Sequence, residues 1–79
     1  MTDEAEAKLQ EIVRTALNLP PDVDVTQAHQ LAVENWDSLG HVSLMLAIES
    51  EFGISIAVAD QLRLTSYPAI RHYLEACGV

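Results

Sequence analysis

The sequence predicts an all-α protein: a small four-helix bundle of three longer helices and one short helix, with a long loop between the first and second. Three observations carry this. Apolar residues recur at spacings of three and four in three separate segments, the period of amphipathic helices. The one stretch that alternates like a strand, Ile54-Ser55-Ile56-Ala57-Val58, has no second strand to pair with and is expected to be an extended connection. The 79 residues suffice for one modest core, and with one Trp, two Tyr and one Phe that core must be mostly aliphatic.

The first helix is expected over roughly residues 3–18, where Ala5, Leu9, Ile12, Val13, Ala16 and Leu17 form one stripe. Asp3, Glu4 and Glu6 suit its positive dipole end, and Pro20-Pro21 stop it. Between Asn18 and Trp36 no period survives. A connection this long is usually packed down by its own side chains, here Leu19, Val23, Val25, Leu31 and Val33, with a helical turn expected near residues 27–32.

The second helix opens with Asp37 as N-cap and ends at Gly53. Leu44, Met45, Ile48 and Phe52 fall on one arc, and Leu39, Val42 and Leu46 on its neighbour. So wide an apolar surface means a helix buried on two sides, or one with an arc left for a partner. A short helix over about 57–63, presenting Leu62 and Leu64 inward, comes next. The last helix starts at Ser66 as N-cap with Pro68 in its first turn and ends before Gly78. Neither a repeat nor a composition shift divides residues 1–79, so one domain is expected.

Charge and cysteine content exclude several classes of function. Twelve acidic residues against four basic ones give a formal charge of −8, and Lys8, Arg14, Arg63 and Arg71 are too scattered to form a basic patch, so neither nucleic acid nor membrane is an expected partner. A basic surface on another protein is a better match. Cys77 alone makes no internal disulfide, nothing has metal-ligand spacing, and no apolar run reaches the roughly 18 residues of a membrane span; a monomer in a reducing cytoplasm is expected.

Asp22, Asp24 and Thr26 occupy the first ligand positions of a calcium loop, but Gln27 replaces its glycine and Val33 its closing Glu, so a solvated acidic loop is the better reading. Ser38 with His41 one turn on and Asp37 adjacent resembles a nucleophile–base pair, yet no elbow surrounds the serine and little of the chain is left to enclose a substrate. His29 and His72 have no evident partners. The remaining feature is Asp37-Ser38-Leu39 at a helix start. A hydroxyl there is exposed, and a phosphate esterified to it lies near unpaired backbone N–H groups and the positive dipole end.

With Leu46-Ala47-Ile48-Glu49-Ser50-Glu51-Phe52-Gly53-Ile54-Ser55-Ile56 downstream and Thr65-Ser66-Tyr67-Pro68-Ala69-Ile70 near the end, this run resembles the acyl carrier protein family over nearly the whole chain. The resemblance implies a carrier rather than an enzyme. It implies that Ser38 receives a 4'-phosphopantetheine arm from coenzyme A through a magnesium-dependent phosphopantetheinyl transferase, and that Asp37 helps to engage that enzyme. The arm's thiol holds an acyl or aminoacyl group as a thioester, supplied by a loading ligase and presented to synthases and transferases. It further implies a docking surface of Leu39, Val42, Leu46 and Glu49, and an acyl-sheltering cleft lined by Leu44, Ile48, Phe52, Leu62 and Leu64. Gly40, Ser43 and Ser50 depart from the acids usual in fatty-acid carriers. Trp36 and Gly40-His41 look more like specialised stand-alone or peptidyl carriers. The competing reading is a small helical interaction module without a prosthetic group.

Overall fold

The computed structural model describes residues 1–79 and is all-helical: α1 (Asp3–Ala16), α2 (Ser38–Phe52), α3 (Val58–Gln61) and α4 (Tyr67–Ala76), with a 3-10 turn at Val25–Gln27 in the long first loop. Each longer helix begins on a side chain that accepts an otherwise orphaned backbone N–H. Thr2 accepts from Ala5, Asp37 from Gly40 and Ser66 from Ala69. α1 ends two residues earlier than its periodicity suggests, because Leu17 caps it and Asn18 turns into the left-handed region at φ 53°. α2 ends on Gly53 at φ 64°, where the missing Cβ removes the steric cost of that conformation.

One core joins the elements. Leu9, Ile12, Val13 and Leu17 of the first segment meet Leu44, Met45 and Ile48 of α2 and Tyr67, Ile70 and Leu74 of α4. Burying each such aliphatic side chain contributes about 1.5–3 kcal/mol before chain entropy is counted. Arg71 on α4 ties the far side, donating from Nε to Glu6 of α1 at 2.9 Å and from Nη1 to Glu75 at 2.8 Å.

The first loop is ordered by its own groups. Val25, Ala28 and Trp36 turn into the core. Arg14 reaches from α1 to the carbonyls of Pro20 and Val23. The helical turn comes earlier than expected, at 25–27, because Asp24 caps it by accepting from Thr26 N–H at 3.0 Å and Thr26 Oγ1 at 2.6 Å. These two bonds hold the Asp24 carboxyl below its ordinary range. A second turn follows, in which the N–H groups of Ala32 and Val33 donate to His29 C=O. Just before α4 the loop docks on residues 65–67: Gln30 N–H donates to Thr65 C=O at 2.8 Å and Tyr67 N–H to Ala28 C=O at 2.9 Å. Residues 54–57 are extended and unpaired to any strand, as their lack of a partner in sequence implies.

Candidate functional site

The first turn of α2 presents Asp37, Ser38 and Leu39 to solvent, with Leu39 81% exposed. The Asp37 carboxylate accepts from Gly40 N–H at 2.8 Å, so the serine stands at the first residue of a capped helix. Leading into it, Asn35 Nδ2 donates to Leu17 C=O at the end of α1, and Trp36 is 2% exposed. The chain therefore enters α2 with its backbone anchored on both sides of Ser38. An exposed hydroxyl with the N–H groups of the first helical turn alongside is a stereochemical match for a phosphodiester, and no side chain covers it.

The serine enzyme reading has no such support. His41 is fully engaged elsewhere: its Nδ1 accepts from Trp36 Nε1–H at 3.0 Å and its Nε2 bonds Gln61 C=O at 2.7 Å. A carbonyl only accepts, so Nε2 carries the proton and Nδ1 is bare, leaving no nitrogen to serve Ser38 as a base. His29 and His72 are exposed and make no side-chain hydrogen bond or ion pair.

The two apolar arcs of α2 resolve clearly. Leu44, Met45 and Ile48 face the core, while Val42 and Leu46 join Leu39 on an exposed face. Val58 and Leu62 of the adjoining segment are exposed as well. Glu49, expected on the docking surface, is half-buried and has a structural partner of its own. Its Oε2 accepts from Ile56 N–H at 2.8 Å, so the carboxylate is a tether for the segment that follows α2.

The expected cleft residues line no open cleft. Leu44, Ile48 and Leu64 lie together in the core, with Phe52 packed against its edge. Leu62, expected inward, is 74% exposed against 4% for Leu64, because α3 spans only Val58–Gln61 and Leu62 is its C-cap. Phe52 is half-buried on the opposite flank, where Lys8 Nζ sits 5.6 Å from its ring centroid. None of the three surface depressions lies between α2 and α3. The largest, about 430 Å³, lies between α1 and α2, where Ser43, Ala47 and Ser50 are too small to fill the space beside Ile12 and Ala16.

Gly40 is explained by geometry. A Cβ at this position overlaps the Asn35 carbonyl oxygen of the incoming loop, so neither an acid nor any other side chain fits there. The closeness of residues 35 and 40 depends on the path of the loop, which local periodicity does not encode.

The comparisons with known proteins agree with this geometry. Residues 7–74 match the family described as the phosphopantetheine attachment site. Over 74 residues the chain is 31% identical to the acyl carrier proteins of Rickettsia canadensis (strain McKiel) and Rickettsia rickettsii (strain Iowa), covering 94% of this chain and 86% of each relative. The acyl carrier protein of Rickettsia felis (strain ATCC VR-1525 / URRWXCal2) is similar to the same extent. The chain belongs to the acyl carrier protein family, whose members bear phosphopantetheine and are carriers rather than enzymes.

Proposed function

We propose that Ser38 is the attachment point of the 4'-phosphopantetheine arm, and that the protein holds an acyl or aminoacyl group on it as a thioester for partner enzymes. The observation that carries this reading is the exposed Ser38 hydroxyl at the first residue of a helix capped by Asp37. The arm, when bound, supplies a flexible tether and a terminal thiol. The chain's own residues do the rest. The N–H groups at the start of α2 would be available to the ester phosphate, and the helix dipole would favour its negative charge. Asp37 fixes the backbone around the serine and offers a carboxylate to the magnesium-dependent transferase. Tethering raises the effective concentration of the cargo at each enzyme without release between steps.

The exposed face of Leu39, Val42 and Leu46 is the docking surface in this reading, reached by the phosphopantetheinyl transferase, a loading ligase and downstream synthases or transferases. With no acid at residues 40, 43 and 50, its centre is apolar and the protein's charge of −8 acts at longer range. No helix is long and apolar enough to cross a membrane, and Cys77 is a free exposed thiol; both fit work in the cytoplasm.

The test is intact-mass measurement after incubation with coenzyme A and a broad-specificity phosphopantetheinyl transferase. One arm's mass is expected on the wild type and none on Ser38→Ala. An arm on Ser38→Ala places the attachment elsewhere, and no arm on the wild type returns the chain to a plain interaction module.

A further inference from the structure

A continuous chain of hydrogen bonds leaves α2 near its end and returns to it near its start. Glu49 Oε2 accepts from Ile56 N–H at 2.8 Å, Ile56 C=O accepts from Gln61 Nε2 at 3.0 Å, Gln61 C=O meets His41 Nε2 at 2.7 Å, and His41 Nδ1 accepts from Trp36 Nε1–H at 3.0 Å. His41, Met45 and Glu49 are spaced by four residues and so share one face of α2, with the two polar tethers about 12 Å apart along the axis. Between them Met45 is 1% exposed, and Ile56 from the opposite side is 5% exposed. The segment 54–61 is thus fastened to α2 at both ends over an apolar plug.

We propose that Trp36, His41, Gln61 and Glu49 form a clasp that holds residues 54–61 shut on α2. The clasp closes the seam between α2 and residues 54–61 to the cargo, favouring short or polar acyl and aminoacyl groups over long alkyl chains. The inference rests on attachment at Ser38 and deepens that reading by naming the cargo class. Its physical basis is a competition. Admitting an alkyl chain between α2 and α3 means parting bonds whose partners are buried or half-buried and displacing Met45, Ile56 or Leu64 from the core. A short chain has too few methylenes to offset that, and a polar one gains nothing by entering. His41 is the central positioning residue, since both ring nitrogens are used and no other natural side chain reproduces that pair of bonds with the same shape.

Two measurements test the clasp. In the protein without its arm, amide hydrogen exchange across residues 54–61 is expected to rise on the order of tenfold in His41→Ala and in Trp36→Phe, which removes the N–H donor together with part of the buried ring, while buried amides of α1 and α4, which report any general loosening of the core, keep their wild-type rates. Unchanged exchange in both variants overturns the clasp, whatever becomes of the arm. In the arm-bearing protein, butanoyl and decanoyl thioesters of the wild type are expected to react with hydroxylamine at the same rate within about twofold, whereas His41→Ala protects the decanoyl form roughly tenfold as the opened seam admits it. Equal protection of the decanoyl form in the wild type and in His41→Ala overturns the cargo restriction. Failure to load any arm at Ser38 overturns the carrier reading instead and is seen separately, by mass.

Discussion

Gly40 lies so close beneath Asn35 that the loop entering α2 rests on the bare backbone of the helix's first turn, with the Asn35 carbonyl where a Cβ would be. Asn35 is itself held by its side-chain bond to Leu17 C=O at 3.0 Å, so the contact is pinned from the α1 side too.

Gly40→Ala therefore has an inverted sign. In an ordinary helix interior the change gains about 1 kcal/mol from lower chain entropy. Here the backbone of 35–37 must shift, and the variant is expected to lose about 1–3 kcal/mol, the usual cost of overpacking. Urea unfolding measures this as a lower midpoint. A stabilised Gly40→Ala means that the loop moves away freely and that the contact does not position Ser38.

Asp37 has two separable duties. Asp37→Ala is expected to cost about 1 kcal/mol through the lost bond to Gly40 N–H, whereas Asp37→Asn keeps a capping oxygen and costs only a few tenths. If the carboxylate also serves the transferase, both variants load the arm slowly although only one is unstable. Loading kinetics set beside thermal unfolding separate the two, and a wild-type loading rate in Asp37→Asn assigns Asp37 to capping alone.

The capping residues were legible because their signals are local: Asp37, Ser66 and Gly53 each act within a turn of their own position. The two arcs of α2 were legible as arcs, but periodicity cannot say which of two apolar faces other elements will cover; burial of Leu44, Met45 and Ile48 is decided by α1, α4 and the loops. A four-residue helix such as α3 holds barely one turn, too little to set a phase, and so Leu62 and Leu64 were assigned the same side when only Leu64 is inside. The links from His41 to Gln61 and from Glu49 to Ile56 cross chain reversals, and residue type alone carries no sign of them. Trp36 and His41 stand out in the sequence as unusual neighbours of the serine. That a ring nitrogen of one bonds a ring nitrogen of the other required the loop's path.

Tyr67 offers a test of the core. It is 2% exposed, and its hydroxyl has no partner in hydrogen-bonding geometry. Tyr67→Phe removes a buried group that gains nothing from folding, so stability at neutral pH is expected to be unchanged or to rise by up to about 1 kcal/mol. Burial, with the Glu6 carboxylate adding to it, holds the phenol above its ordinary value of 10.0. Because burial disfavours the ionised phenol, the group leaves stability unchanged with pH below 10 and lowers it progressively as pH rises above 10, where the unfolded phenol ionises first. The wild type is therefore expected to lose stability above pH 10 more steeply than Tyr67→Phe, with Tyr73, raised by burial and by Asp60, supplying part of the residual slope in both. Identical alkaline limbs mean that the Tyr67 hydroxyl reaches water in solution.

Leu46 and Glu49 stand three residues apart on α2 yet are expected to fail in different ways. Leu46 is 60% exposed, so Leu46→Ala leaves stability within about 0.5 kcal/mol. If a partner covers its apolar surface, the loss of docking is about 1–2 kcal/mol, or roughly 5- to 30-fold in kcat/KM for the transferase or the loading enzyme. That loss persists in high salt, since apolar burial is not screened. Glu49→Ala instead frees Ile56 N–H and loosens residues 54–57, so its first effect is a lower unfolding midpoint, and Glu49→Gln, which keeps an acceptor oxygen, restores most of it. Turnover of the three variants at low and high salt, set beside their urea midpoints, distinguishes the roles. A Glu49→Gln that is as stable as the wild type but turns over slowly only at low salt identifies Glu49 as an electrostatic contact after all, and a fully active Leu46→Ala moves the docking surface off this face of α2.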